Sequence, residues 1–429
     1  MSLMTELLSN LPSRRYRHAD KHDNRPFPEL ITDLLSSHGE VSGLNLARQF
    51  LDRYKAMDDN QKRQVFAYMA DDLEIVVADV DAALRAYRDS PNGQTFSALM
   101  RATEPARQEF ARRLNQVPGA TAQLVSMRAD LLRFMKDDPS LAPVNEDFRH
   151  LFASWFNRGF LVLRPVNWQS PADILEKIIR YEAVHAIDSY TELRSRLAPE
   201  DRRCFAFFHP AMPSEPLIFV EVALADRIPD SIQALLADAR EILPQEKANT
   251  AVFYSISNCQ QGLAGISFGN SLIKQVVELL SRELPQLRTF VTLSPLPGLQ
   301  KWLIENDLAE AASDADTRRA LAARYLLEAK GRGNQPKDPV ARFHLFNGAL
   351  VHDTHANADT SDNGVRQSGG AMVNYLYDLK KINKNHEAFA KDGTVVASRK
   401  VRDLASRALP GNSKTGGVGR DDVNRRKAE

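Results

Sequence analysis

The chain has 429 residues, 43% of them hydrophobic, with 56 Lys+Arg against 55 Asp+Glu. That length predicts two domains, and a net charge of +1 supplies no field to hold nucleic acid or an anionic membrane. Cys204 and Cys259 are the only cysteines, which excludes a disulfide framework and a four-cysteine zinc site. Apolar runs such as Leu217–Leu224, interrupted by Glu221, fall far short of the ~20 residues of a spanning helix. The N-terminus lacks a continuous apolar core and a small-residue cleavage site, and Glu6 and Asp20 speak against a presequence. A flexible terminus over residues 1–25 and a cytoplasmic location are expected.

From Phe27 to Phe156 the apolar residues recur at helical spacing, as in Leu30, Ile31, Leu34 and Leu35 or Leu46, Phe50, Leu51 and Tyr54. Ser90-Pro91-Asn92-Gly93 and Pro118-Gly119 punctuate this text as turns. The spacing predicts an all-helical domain over 26–158, built for packing. Near Gly159 the character changes. Phe160–Leu163 reads as a strand closed by Pro165, and Ser170-Pro171 as a serine cap with proline at the first helical position. A second helix covers Ser189–Leu197; strands follow at Cys204–Phe208, Leu217–Ala223 and Ala251–Ser257, with His209–Pro216 as a turn. After a glycine-rich loop come a helix through Leu272, Ile273, Val276, Val277 and Leu280 and a strand at Arg288–Leu293. A helical stretch near Thr317–Lys330 and an apolar segment Ala341–Val351 complete a domain expected over 159–390. Residues 391–429 end in a polar, basic sequence and read as a largely disordered tail.

The loop Gly262-Leu263-Ala264-Gly265-Ile266-Ser267-Phe268-Gly269-Asn270 lies between a strand and a well-patterned helix. Glycines let several backbone N–H groups face one ligand, and the helix start adds positive potential, so this can cradle a phosphate or pyrophosphate. It carries no P-loop GKS/GKT and no Rossmann fingerprint. A tight structural turn explains the same glycines equally well.

The order β-α-α-β-β-β, then glycine loop and helix, resembles the GNAT acyl-CoA-binding fold. Longer segments narrow the resemblance: Phe207-Phe208-His209-Pro210, Gln260-Gln261-Gly262-Leu263-Ala264-Gly265, Thr292-Leu293-Ser294-Pro295-Leu296-Pro297-Gly298, Phe343-His344-Leu345 and Met372-Val373-Asn374-Tyr375-Leu376-Tyr377 look like malonyl-CoA decarboxylase, over roughly Trp155–Leu379. The resemblance implies an α+β, multidomain fold: an all-α N-terminal domain followed by a GNAT-like mixed β-sheet domain. It implies a carboxy-lyase of fatty-acid metabolism that converts malonyl-CoA to acetyl-CoA and CO2, with no cofactor and no metal. The matching site residues are Ser294 and His344 as the catalytic pair. Gly262, Ala264, Gly265, Ile266, Ser267, Phe268, Gly269, Asn270 and Tyr377 would bind substrate. A homodimer or homotetramer is expected, with the helical domain supplying contacts and neither nucleic acid nor membrane as partner.

Read as residues alone, Ser294 is a turn serine in a Pro- and Gly-rich loop, without the G-x-S-x-G elbow of a hydrolase. His344 reads equally as a hydrogen-bonded core histidine, and Tyr377 as a core tyrosine. His209 and Glu221 fit structural roles. His352, Asp353 and His355 match no defined metal site; this stretch, with Thr354-His355-Ala356, departs from the family's usual Ile-Asn-Trp. Two other functions stay open on the same fold: an N-acyltransferase with an acidic base such as Glu221, and a non-catalytic acyl-CoA sensor.

Overall fold

The structure, a computed structural model, describes residues 25–408 apart from 38, 267 and 269–271. Of the expected site residues, Ser267, Gly269 and Asn270 therefore lie outside the described ones, as do 1–24 and 409–429 of the expected flexible ends. The chain divides into two compact units. A helical unit runs to Phe160 and also takes in Pro210–Pro213 and Gln260–Ser267; a sheet unit holds Leu161–His209, Ser214–Cys259 and the chain from Phe268 onward. By its contacts the first part of the glycine loop, through Ile266, groups with the helical unit.

The helical unit contains α1 (Phe27–Ser36), α2 (Glu40–Ala56), α3 (Asp59–Asp71), α4 (Val77–Asp89), α5 (Gly93–Ala102), α6 (Ala106–Leu114), α7 (Ala120–Phe134) and α8 (Ala142–Trp155). Helix starts follow local chemistry. Asp58 and Gln61 form a capping box on α3, Asn92 accepts from the N–H groups of Gln94 and Thr95 on α5, and Gly119 (φ 82°) turns the chain into α7. The core is aromatic: Phe50, Phe66, Phe110 and Phe134 are fully buried, and Phe50 meets Phe110 edge-on at 4.9 Å. Helices α4 and α5 contribute no buried residue; Val76, Val77, Phe96 and Met100 stand exposed there.

The sheet unit opens with β1 (Val162–Val166), α9 (Ala172–Tyr181), α10 (Tyr190–Leu197), β2 (Arg202–His209), β3 (Met212–Ala225), α11 (Ile232–Leu236) and β4 (Thr250–Asn258). It continues with α12 (Leu272–Glu283), β5 (Thr289–Thr292), β6 (Ser294–Pro295), α13 (Leu299–Glu305), α14 (Ala315–Glu328), α15 (Pro339–Phe346), β7 (Leu350–His355), α16 (Asp362–Ser368), β8 (Met372–Leu376), α17 (Ile382–Asp392) and α18 (Arg399–Arg407). The strand order is β1-β2-β3-β4-β5-β8-β6, with β7 also on β8. The pair β4/β5 is parallel, whereas β1/β2, β3/β4 and the pairs of β8 are antiparallel. This is the expected GNAT-like mixed sheet.

Several boundaries differ from expectation. Strand β1 runs through Pro165, which pairs with Phe205; on an edge strand the missing N–H costs no ladder bond. Pro171, not Ser170, caps α9, because the Ser170 hydroxyl instead accepts the Asn167 N–H at 3.1 Å. The β2–β3 turn shrinks to Pro210 and Ala211, and β3 extends through Pro213 and Pro216. The basic tail is corrected too. Ser398 caps α18, Val401 and Ala405 bury its inner face, and the Lys400 ammonium lies 2.6 Å from Asp353. The segment Val396–Ser398 adds backbone hydrogen bonds to Val351.

Candidate functional site

Ser294 and His344 come together although 50 residues separate them. The parallel β4/β5 ladder ends at the pairs Phe253/Thr292 and the Leu293 N–H to Phe253 carbonyl bond; beyond it β6 pairs only with β8, through Ser294 and Val373. The strands part, and a cavity of about 250 Å³ lies between Phe253, Tyr254, Ile256 and Asn258 on one side and Ser294 and Pro295 on the other. Val184, Pro339, Val340, Phe343 and His344 close it. Tyr254 reaches this wall because β4 carries one extra residue there: Val222 pairs with Phe253, but Glu221 already pairs with Ser255.

His344 is delivered by α15. Asp338 accepts the Ala341 N–H at 2.9 Å and Pro339 occupies the first helical position, so the sequence Asp338-Pro339 fixes where the helix starts. The imidazole is buried, 2% exposed, and stacks on the Tyr375 ring at 4.5 Å. Its Nε2 lies 3.2 Å from Ser294 Oγ and its Nδ1 2.7 Å from the Tyr377 hydroxyl. Ser294 donates its own proton to Thr292 Oγ1 at 2.8 Å, and Thr292 Oγ1 also accepts the Tyr375 N–H at 3.1 Å. The network thereby assigns the tautomer: Nε2–H donates to Ser294, and the Tyr377 hydroxyl donates to Nδ1. Burial pushes the His344 pKa down to about 3, so the ring is neutral at pH 7.

Tyr377, expected in the substrate pocket, holds the histidine and does not itself line this cavity. Thr292 and Tyr375 were not anticipated. Each sits two residues from an expected site residue on the same strand or its continuation, and period-2 geometry puts such neighbours on one face. Glu221 does not line the cavity that holds Ser294 and His344. It is fully buried, 3.4 Å from the Arg196 guanidinium, and burial followed by the charge of Glu182 raises its pKa to about 8. His352, Asp353 and His355 lie on β7; Asp353 is bound by Arg319 and Lys400, and His355 Nε2 by Asn374. Among the described residues, no group of three potential ligands could hold a metal ion.

The glycine loop follows β4 in the helical unit. Gly262 is buried, and a Cβ there would stand 1.8 Å from the Val125 carbonyl oxygen on α7. Gly262 is therefore a close-packing glycine, not one that faces a ligand. Gly265 differs: φ is +75° and a Cβ would meet nothing within 4 Å among the described residues. Ala264 is exposed, whereas Ile266 and Phe268 are buried.

Comparison with known proteins gives these features a family. Residues 77–156 match the malonyl-CoA decarboxylase N-terminal domain, and 159–319 together with 307–415 match the malonyl-CoA decarboxylase C-terminal domain. The chain belongs to the malonyl-CoA decarboxylase family. The mitochondrial malonyl-CoA decarboxylase of the goose Anser anser anser is 35% identical, over 68% of this chain and 68% of that protein. The crystal structure of malonyl-CoA decarboxylase from Rhodopseudomonas palustris is 48% identical, covers 88% of this chain and 98% of its own, and superposes with a TM-score of 0.84. The Agrobacterium vitis enzyme gives 48% and 0.82 over the same shares.

Proposed function

We propose that this protein decarboxylates malonyl-CoA to acetyl-CoA and CO2, with Ser294 and His344 as the reacting-centre residues. The observation that carries the reading is the continuous Tyr377–His344–Ser294–Thr292 hydrogen-bond chain, opening into an apolar cavity in a chain of this family. The C–C bond to the carboxylate breaks, its electron pair enters the thioester as an enolate, and CO2 leaves. A proton then adds to the methylene carbon, so each turnover consumes one proton. Phe253, Ile256, Val340 and Phe343 offer the carboxylate little solvation, which favours departure of a neutral molecule.

A neutral imidazole suits the second half. The enolate carbon is a strong base, strong enough to take the Nε2 proton from an uncharged ring. The Tyr377 hydroxyl on Nδ1 then shares its proton with the resulting anion. The Ser294 hydroxyl turns from Thr292 to the enolate or carboxylate oxygen. The loop through Gly265 takes the coenzyme diphosphate. No metal or cofactor takes part, because the thioester carbonyl accepts the electron pair. The acyltransferase alternative loses support, since Glu221 does not line the Ser294–His344 cavity and already faces Arg196.

Incubation of the purified protein with malonyl-CoA in EDTA should yield acetyl-CoA and CO2 in equal amounts. Acylated amine with free CoA, binding without turnover, or activity restored only by a divalent ion would each overturn the reading. We further infer a homodimer or homotetramer joined through the helical unit, because α4 and α5 bury nothing of their own. Light scattering at the 48.1 kDa of one chain would reject it. Both cysteines are free and buried, which fits a reducing, cytoplasmic setting, although the vertebrate relatives are named mitochondrial.

A further inference from the structure

Arg128 occupies a position that packing alone does not explain. Leu124, Arg128 and Leu131 lie on one buried face of α7, and the arginine is only 1% exposed. Its guanidinium donates to Asn145 Oδ1 at 3.1 Å, to the Gly262 carbonyl at 2.6 Å and to the Ala264 carbonyl at 3.0 Å. All three acceptors are neutral. Burial, followed by the charge of Arg149, pushes its pKa down to about 10, so it stays charged at pH 7. A desolvated cation without a carboxylate in hydrogen-bond contact is costly unless something else draws on its charge.

The geometry of the loop indicates what does. In a trans peptide the C=O and N–H lie in one plane and point in opposite directions. With the Ala264 carbonyl held by Arg128, the Gly265 N–H of the same peptide points away from α7. A Cβ built on Gly265 would meet nothing within 4 Å among the described residues. The Leu263 N–H of the other held peptide already bonds the Gln260 carbonyl, so the guanidinium and the Ala264–Gly265 peptide direct positive potential outward through the Gly265 N–H.

We propose that Arg128 is a positioning residue for the coenzyme: it orients the Ala264–Gly265 peptide and supplies, through it, the positive potential that receives the substrate's diphosphate. This rests on the decarboxylase reading of the glycine loop. A purely structural arginine would affect all substrates alike, so the test uses two: malonyl-CoA and malonyl-pantetheine, which carries the same thioester without the diphosphate. Arg128→Gln keeps donors but removes the charge. It should raise KM for malonyl-CoA on the order of tenfold at unchanged kcat, and leave both constants for malonyl-pantetheine unaltered. Added salt should raise the wild-type KM for malonyl-CoA more than that of the variant. Arg128→Lys, a cation with fewer directed donors, should fall between, and it decides the matter if Arg128→Gln does not fold. Equal losses on both substrates, or an unchanged KM for malonyl-CoA, overturn the proposal. If the wild type turns over neither substrate, the decarboxylase reading has failed instead. Calorimetric binding of CoA and of pantetheine to the wild type and both variants then decides on Arg128, with selective weakening of CoA as the supporting result.

Discussion

The Ser294–His344 pair and the glycine loop solve opposite electrostatic problems. Around His344 the protein removes charge: the ring is buried, stacked on Tyr375, hydrogen-bonded on both nitrogens and held neutral. Around Gly265 the protein stores charge, with a buried arginine bonded only to neutral oxygens. A largely apolar, uncharged pocket suits a step in which an anion becomes neutral CO2 and an enolate is protonated at once. A stored positive charge suits a part of the substrate that stays anionic throughout and needs only to be held. Changes in the first region should therefore fall on kcat and changes in the second on KM.

The comparison breaks most sharply at His344. Asparagine there keeps one hydrogen-bond donor but cannot pass on a proton, so His344→Asn should lower kcat by at least ~10²–10³ while malonyl-CoA affinity stays within a few-fold. Ser294→Ala should lose a similar factor. The double variant should be little worse than the poorer single one, because residues on one hydrogen-bond chain act as a unit. The measurement is kcat and Kd for the four proteins, with circular dichroism to establish folding. Near-wild-type kcat in His344→Asn would remove the proton donor and the mechanism with it.

A smaller effect separates two glycines of one loop. Gly262→Ala drives a methyl group into the α7 backbone, so it should cost about 1–3 kcal/mol and lower Tm. Gly265→Ala meets no neighbour but holds an unfavourable φ, a cost of about 1 kcal/mol. Its effect should appear mainly in KM for malonyl-CoA. Thermal scans and steady-state kinetics on both variants check this; a Tm loss larger in Gly265→Ala would mean that the loop's two sides have been assigned the wrong way round.

How far each region was legible in the sequence follows from the range of its interactions. The helical unit was legible because 3.6-residue periodicity and caps such as Asp58 and Asn92 act within a few positions. The loop was visible as glycines, but their division of labour was not, since Gly262 is fixed by Val125, far away along the chain. The Ser294–His344 pair came from resemblance; on local pattern each is an ordinary turn or core residue. Arg128 carried a signal that passed unread: an arginine at helical spacing between Leu124 and Leu131, where apolar residues are the rule. Of the tail, residues 391–408 differ from expectation: α18 is polar in composition, yet Val401 and Ala405 are buried and Lys400 pairs with Asp353, while 409–429 lie outside the described residues.

The smallest expected effect is an absence, and it tests the uncharged region directly. A histidine donor with an ordinary pKa would impose an inflection near pH 6.5 on kcat. Here burial holds the His344 pKa at about 3, so kcat should show no inflection from this group between pH 5 and 8. The same shift has a signature in stability. Below pH 6.5 the unfolded chain binds a proton at residue 344 that the folded chain refuses, so protons bound on unfolding are positive and stability falls as pH falls. The loss begins near pH 6.5, runs toward the folded value of about 3, and should amount to about 1 kcal/mol by pH 5.5. His344→Asn has no such group and should lose less stability over that interval. Urea unfolding of both proteins at pH 7.5 and 5.5 measures the difference. A parallel fall in the two proteins, or a wild-type kcat inflection near 6.5 that His344→Asn abolishes, would show that the ring takes up a proton in the folded state and that the cavity is wet.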